Sequence, residues 1–411
     1  GAGFAIDSQQ VRSRYDTGPF VGQLFMHAVN VRGHDVVKYA LDIYGDDTGI
    51  LSCTHDANAW PSDLYAGLPA PSPGERVTLW VQNSHPTEIP PDSIGLNRMG
   101  SQEVGWLGKG IAPFGSYALD VSTLLPELAW PDQIEIRAGK YMVRPRYEID
   151  TRVNRRIGHV NVERTDLVPD KRLAELGNLV GKGHILPAPL LPTERYETIV
   201  LPTPMSTGQL ELAIKLLIFD SEGQEIHAQR LGRIPRDHAV ALSMNELLGE
   251  VGTGLAGSCG HVELIYDFND GNEADGWLHA LFRYRDLKSG HVAETSFGSH
   301  MFNLPVTFHN EPQSYGGPAP GLSTRLYLRL GLSTLDTLCC LIYPASMPWR
   351  PRSDTAISLI DSNGMEISSR NLKIPCGGSR LFRASEIFDA DLRVRAGVNC
   401  YVQVRDLGCR L

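Results

Sequence analysis

Two neighbouring pairs of residues have the types that could do chemistry, His55-Asp56 in "CTHDANAWPSD" and Asp237-His238 in "IPRDHAV". Histidine serves as a general base or metal ligand near neutral pH, and aspartate can hold its ring in one tautomer. Both pairs are expected in loops. Adjacent residues on an extended chain point to opposite sides, so neither pair is a dyad by itself and each needs a partner from elsewhere. Convergence of His55, Asp56, Asp237 and His238 on one cleft would imply a hydrolase, metal-assisted or not. The plainer reading makes each pair a polar loop group that caps the short helix following it.

A second chemistry is recognition. "DANAWPSDLY" places Asn58, Trp60, Asp63 and Tyr65 close together, and "LWVQNSHP" adds Trp80 and Asn83. Aromatic faces flanked by amides and carboxylates stack on sugar rings and bond their hydroxyls. The competing expectation is that Trp60 and Trp80 fill the core of a first module. His261 and Glu263, two apart in "GHVELIYDF", share a strand face as two metal ligands would, with His159, His291 or His300 as further donors. Scattered histidines make no ligand set, so no metal is assigned.

The familiar cofactor motifs are missing or out of context. "GTGLAG" at 252–257 has the glycine spacing of a dinucleotide loop, but a helical "MNELLGE" precedes it and a strand follows, the reverse of what pyrophosphate binding needs. No G-x-S-x-G elbow, H-E-x-x-H helix, P-loop or EF-hand loop occurs, and no cofactor is expected.

The elements that must position these residues form a repeat. "LLIFDSEGQEIHAQRLGRIPRDHAVALSMNELL" (216–248) and "SLIDSNGMEISSRNLKIPCGGSRLFRASEIF" (358–388) share a strand, an Asp-x-x-Gly turn, a second strand, a proline loop and a short helical segment. Weaker copies run from 94 to 125, with Asn97 at the turn and Pro113 in the loop, and from 41 to 68. Each continues into another strand. Two add a hairpin, which aligns Arg146-Tyr147 with Arg283-Tyr284 and His159 with His291.

The strands are short, rich in Val, Ile, Leu and Tyr, and bounded by Gly, Asp, Asn or Pro, with period-2 alternation such as Val77, Leu79, Val81. The expected fold is therefore all-β, built from tandem antiparallel β-sandwich-like modules with short helical segments in the loops. Pro/Gly-rich stretches at 66–75, 181–194 and 310–323 read as connectors. They divide the chain into a degenerate module 1–75, modules with hairpin extensions at 76–180 and 195–309, and a last module at 323–411.

Composition narrows the partners. The chain has 411 residues and a net charge of −9, which argues against nucleic acid, because phosphate binding needs a basic face. The densest basic stretch, 151–172, interleaves acids with its Lys and Arg and reads as solvated strand and loop. No apolar run is long enough for a membrane span. Seven cysteines without a C-x-x-C pair suit reduced thiols and a cytoplasmic location, although a removed leader would leave no trace here. The leading expectation is a non-catalytic recognition or scaffolding protein for a carbohydrate or a protein partner, with the hydrolase as its alternative. The sequence does not fix an oligomeric state.

Overall fold

The computed structural model describes residues 5–16, 39–44, 51–56, 61–151, 154–171, 174, 185–250, 252, 255, 258–271, 273–298, 300–301, 324–330, 336–344, 350–409 and 411. For 39–44, 51–56, 185–186, 296–298 and 300–301 it describes the backbone only. Strands β1 (Tyr39–Tyr44) and β2 (Leu51–Asp56) form an antiparallel pair.

The first sandwich comprises β3 (Leu64–Pro69), β4 (Arg76–Gln82), β5 (Gly95–Arg98), β6 (Gly105–Trp106), β7 (Ser116–Asp120), β8 (Gln133–Arg137), β9 (Arg146–Asp150), β10 (Arg155–His159) and β11 (Asn161–Val162). One sheet runs β10-β9-β4-β7 and the facing sheet β11-β3-β8-β5-β6. In β4, Val77, Leu79 and Val81 are fully buried while the residues between them reach the surface, as the alternation predicts. They pack with Leu68, Ile134, Ile136 and Tyr147 of neighbouring strands. Each such aliphatic side chain contributes about 1.5–3 kcal/mol on burial.

The second sandwich follows a short pair of β12 (Ile185–Leu186) with β21 (His300–Met301). It contains β13 (Ala188–Leu190), β14 (Tyr196–Pro204), β15 (Glu211–Asp220), β16 (Glu225–Pro235), β17 (Leu242–Ser243), β18 (Gly260–Tyr266), β19 (Leu278–Asp286) and β20 (Val292–Gly298). The third contains β22 (Thr324–Arg329), β23 (Leu338–Ile342), β24 (Thr355–Ile360), β25 (Glu366–Leu372), β26 (Ser379–Arg383) and β27 (Tyr401–Asp406).

The strand orders reveal one plan. The orders β3-β8-β5-β6, β13-β18-β15-β16 and β22-β27-β24-β25 are the same sheet built three times. Facing it are β10-β9-β4-β7, β20-β19-β14-β17 and the shorter β23-β26. The repeated hairpin of the sequence is thus β5-β6, β15-β16 or β24-β25, and the proline loop carries the chain across to the other sheet. The short helical segment comes next, as Val121–Thr123, Met244–Glu250 and Ala384–Ile387.

The expected connectors have a different position from the one their composition implied. β3 precedes residue 75, yet it pairs with β8 and β11 inside the first sandwich, and 70–75 only cross between its sheets. Likewise β13, at 188–190, pairs with β18 and belongs to the second sandwich. Proline is tolerated at strand ends and sheet edges, where no ladder donor is missed, so Pro69 and Pro189 gave strands the composition of linkers. The stretch 310–323 lies outside the described residues.

The hairpin turns of the second and third sandwiches are closed identically. Asp220 Oδ1 accepts the N–H groups of Glu222 (2.9 Å) and Gln224 (2.8 Å), and Asp361 Oδ1 those of Asn363 (2.9 Å) and Met365 (2.7 Å). Gly223 and Gly364 take φ of 85° and 88°. A β-branched residue is strained there, so Gly364→Val is expected to cost about 2 kcal/mol, read as a lowered unfolding midpoint. Gly223→Val is expected to cost more, because its Cβ would stand 2.5 Å from the Cys376 carbonyl oxygen of the third sandwich. Equal losses at the two sites would contradict that contact.

Candidate functional site

The ionisable side chains that the fold gathers lie in the seams between sandwiches. Where the first meets the second, Arg156 of β10 is buried, its side chain 2% exposed. Its Nη2 lies 2.7 Å from Glu75 Oε1 and 2.9 Å from Glu294 Oε1 of β20. Arg283 of β19 reaches the same Glu294 oxygen at 2.6 Å, and its guanidinium carbon stands 3.5 Å from the centre of the Trp130 ring. Tyr147 Oη donates to the other Glu294 oxygen at 3.2 Å. Two cations thus meet two anions with most lone pairs used. Burial works to raise the Glu75 carboxyl, but Arg156 and Arg283 hold it below the usual range. Burial likewise opposes the Arg156 charge, and Glu294 and Glu75 overcome it.

A second network lies on the same seam. Arg236, in the loop after β16, sends one guanidinium nitrogen to Glu135 Oε1 of β8 (2.7 Å) and to Glu163 Oε1, and the other to the carbonyls of Pro204 and Ser206. Asn97 Nδ2 donates to Glu135 Oε2 at 2.7 Å, the Gly100 N–H donates to Glu135 Oε1 at 2.8 Å, and Arg137 stands 3.7 Å from that carboxylate. Burial pushes Glu163 up to about 7, with Glu135 adding to the shift and Arg236 opposing it. Ala66 and Met99 of the first sandwich and Met205 and Trp277 of the second form an apolar patch nearby.

One packing device serves both seams. The turn of the first sandwich sits on the proline loop of the second: Arg98 Nη2 donates to the Asp237 carbonyl at 2.9 Å, and a Cβ on Gly100 would lie 3.1 Å from Arg236 Cβ. The turn of the second sits on the proline loop of the third. There the Ser221 carbonyl accepts from the Ser379 N–H (3.0 Å) and from Arg380 Nη1 (2.8 Å), while Arg380 Nη2 pairs with Glu222 at 2.8 Å. Cys259 Sγ meets Ser379 Oγ at 3.4 Å. Beside this seam an open groove of about 220 Å³ is lined by Glu194, Arg195, Arg383 and Glu386 among others.

The residues singled out from the sequence scatter across this framework. His55 and Asp56 lie on strand β2, opposite Ala40 and Tyr39, and not in a loop; their side chains are outside the described residues. Asp237 and His238 do lie in the loop after β16. His238 is buried, its Nδ1 accepts the Val240 N–H at 3.0 Å, and burial holds the ring down to about 4, so it is neutral. Asn58 and Trp60 are outside the described residues.

Tyr65 and Asn83, expected to face a ligand, are instead completely enclosed. Tyr65 Oη donates to the Met142 carbonyl at 2.7 Å, and Asn83 Nδ2 donates to the carbonyls of Thr87, Ile111 and Ala112. Both are internal braces. Asp63 is exposed and pairs with Lys140 at 3.4 Å. Trp80 is half-buried on the outer face of β4, where its Nε1 donates to Glu148 Oε2 at 3.3 Å.

His261 and Glu263 share a face as expected, with Nε2 3.4 Å from Oε1, but both are buried and His261 stacks on Phe219. No group of three or more potential metal ligands occurs among the described residues. His159 ends β10, whereas His291 directly follows the turn after β19, so the two are not equivalent. The basic stretch 151–172 is only partly solvated: Arg155 and Arg164 are at the surface, while Arg156 and Glu163 are buried in the seam. Strand alternation signals which face such a residue occupies, but nothing local signals that a second sandwich covers that face.

No protein-family model matches the chain, and no curated protein does. Among solved structures, a putative β-galactosidase from Bacteroides fragilis is 11% identical, with 57% of this chain and 32% of that one covered at a TM-score of 0.14. A calcium-binding mutant of Bacteroides uniformis β-glucuronidase 2 is 8% identical, covering 60% and 29% at 0.14. The β-glucuronidase of Parabacteroides merdae is 8% identical, covering 61% and 30% at 0.13. The aligned part spans about a third of those chains, and likeness at such TM-scores carries no argument about function. The described residues contain no helix long and apolar enough to cross a membrane.

Proposed function

We propose that this chain is a non-catalytic array of β-sandwiches that holds a carbohydrate-recognition surface in fixed geometry. The observation that carries the reading is the construction of the seams. Arg156, Glu294, Arg236, Glu135 and Glu163 are buried between two sandwiches in matched networks. A small relative displacement would strand charges away from water, so the sandwiches are locked together. Ionisable groups committed in this way position structure.

The recognition surface is the outer face of sheet β10-β9-β4-β7. Trp80 presents a ring there beside Glu148, which also pairs with Arg155 at 3.1 Å. A ring edged by a carboxylate and a guanidinium suits stacking on a sugar with hydrogen bonds to its hydroxyls. Calorimetric titration with a panel of oligosaccharides tests this. Binding by the wild type is expected, with Trp80→Ala weakening it about tenfold or more. Trp106→Ala, which alters an exposed tryptophan on β6, should leave it unchanged. Silence across the panel, or binding indifferent to Trp80→Ala, would sink the carbohydrate reading. Small-angle scattering tests the fixed array separately: one rigid shape should fit the wild type.

A further inference from the structure

Cys339 and Cys340 are neighbours in the chain, and strand β23 sends them in opposite directions. Cys339 joins the core of the third sandwich with Leu341 and Phe382, so Cys340 lies on the other face of the strand. In the register of β23 with β26, Cys340 stands opposite Leu381 and Ile342 opposite Ser379. Cys340 and Ser379 are therefore diagonal neighbours on one face. That face is turned to the second sandwich, because Ser379 Oγ meets the sulfur of Cys259, the residue directly before β18, at 3.4 Å. Across the same seam the Cys340 thiol hydrogen-bonds Cys259, and both are free thiols.

The two thiols are unequal. Hydrogen bonds from Cys340 and Ser379, with the Arg380 charge, outweigh burial and hold the Cys259 thiol well below its ordinary value, so it ionises first. The hydrogen bond to Cys259 and burial push Cys340 well up, so it keeps its proton. Cys339, on which burial acts alone, is pushed up to about 12. A thiolate beside a neutral thiol is the arrangement in which one sulfur attacks an oxidant and the other resolves the product. Cys259 is only 4% exposed, so the oxidant that reaches it must be small.

We propose that Cys259 and Cys340 form a peroxide-responsive dithiol that closes to a disulfide across the seam between the second and third sandwiches. The Cys259 thiolate attacks one oxygen of hydrogen peroxide, the O–O bond breaks, and the departing hydroxide takes up the proton that Cys259 had released, giving water. Cys259 is left as a sulfenic acid. The Cys340 sulfur displaces its hydroxyl, which leaves with the Cys340 proton as a second water while the S–S bond forms. The two sulfurs lose two electrons and the peroxide gains them. A small-molecule dithiol returns both sulfurs to thiols by exchange. The bond closes a loop of about 80 residues and ties covalently two sandwiches that also meet here through Ser221, Arg380 and Glu222. The inference uses this seam and not the saccharide surface.

Titration of the whole chain with hydrogen peroxide, followed by non-reducing peptide mapping in a mass spectrometer, tests it. The wild type is expected to gain one intramolecular cross-link between Cys259 and Cys340, reversed by dithiothreitol, and to shift its urea midpoint upward relative to the reduced protein. Cys259→Ser and Cys340→Ser should each lose both the cross-link and the shift, whereas Cys339→Ser should keep both. Fragmentation of the wild-type peptides identifies the bonded sulfurs directly, so the test holds even where a serine variant fails to fold. A wild type that resists peroxide, or oxidises without this bond, would overturn the proposal. So would a bond made by Cys339, one that survives in Cys340→Ser, or one that leaves the midpoint unmoved. Scattering from the reduced protein that fits no single rigid shape would defeat the array reading and leave the cross-link standing.

Discussion

Arg236→Met is expected to destabilise the chain by about 3–5 kcal/mol, the cost of removing one partner from a buried ion cluster. The guanidinium is the cation that Glu135 and Glu163 share, whereas Arg137 stands 3.7 Å from Glu135. Without Arg236 two carboxylates face each other in a seam closed to water. Because several sandwiches unfold, the loss should appear in urea as an earlier first transition that separates from the rest.

The sign of the pH dependence follows from Glu163. Its folded value of about 7 lies above its ordinary 4.5, so the folded state holds the proton more tightly. That contribution to stability is fully present below about pH 4.5 and is lost as pH rises through about 7, amounting to up to about 3 kcal/mol. His238, held down to about 4, acts oppositely: its contribution is present above its ordinary 6.5 and lost as pH falls through 4. Glu163→Gln keeps the shape and an acceptor for Arg236 but removes the titration. The difference between wild type and Glu163→Gln should therefore change between pH 4.5 and 7 and be flat beyond. In the Arg236→Met background, Glu163→Gln should recover part of the loss above pH 7. A flat difference throughout would mean that Glu163 is not titrating in the seam.

Glu294→Leu is expected to be nearly as damaging, again by about 3–5 kcal/mol. One carboxylate, 1% exposed, accepts from Arg156, Arg283 and Tyr147 together. Its loss leaves two guanidinium groups with Glu75 alone, which lies 2.7 Å from Arg156 and 4.0 Å from Arg283. Hydrogen exchange should rise in β10 and β20, the strands the cluster joins, while β24 and β27 of the third sandwich remain protected. Replacing Arg156, Arg283, Glu294 and Glu75 together by apolar residues should cost less than Glu294→Leu alone, because no charge of the cluster is then left unpaired. A uniform rise in exchange over all three sandwiches would show that the cluster supports general stability and not this seam.

The sequence by itself determined the unit of the fold. Asp220–Gly223 and Asp361–Gly364 are legible as turns because an aspartate side chain, its neighbouring N–H groups and a residue free to take positive φ interact within five positions. Val77, Leu79 and Val81 announce a buried face by alternation alone. The repeated order of such signals was enough to specify tandem sandwiches.

Only the tertiary structure decided what covers each face. Arg155 and Arg156 are neighbours of the same type, yet one is solvated and the other sealed against Glu294, which lies 138 positions away. Tyr65 has the look of a binding aromatic until its hydroxyl meets a carbonyl 77 residues later. Pro69 and Pro189 resemble linker residues until Pro69 is seen at the end of β3 and Pro189 on the edge strand β13. Local chemistry fixes backbone conformation and the side to which a side chain points. Which groups leave water depends on how whole sandwiches pack, and that is set by surfaces assembled from residues far apart in the chain.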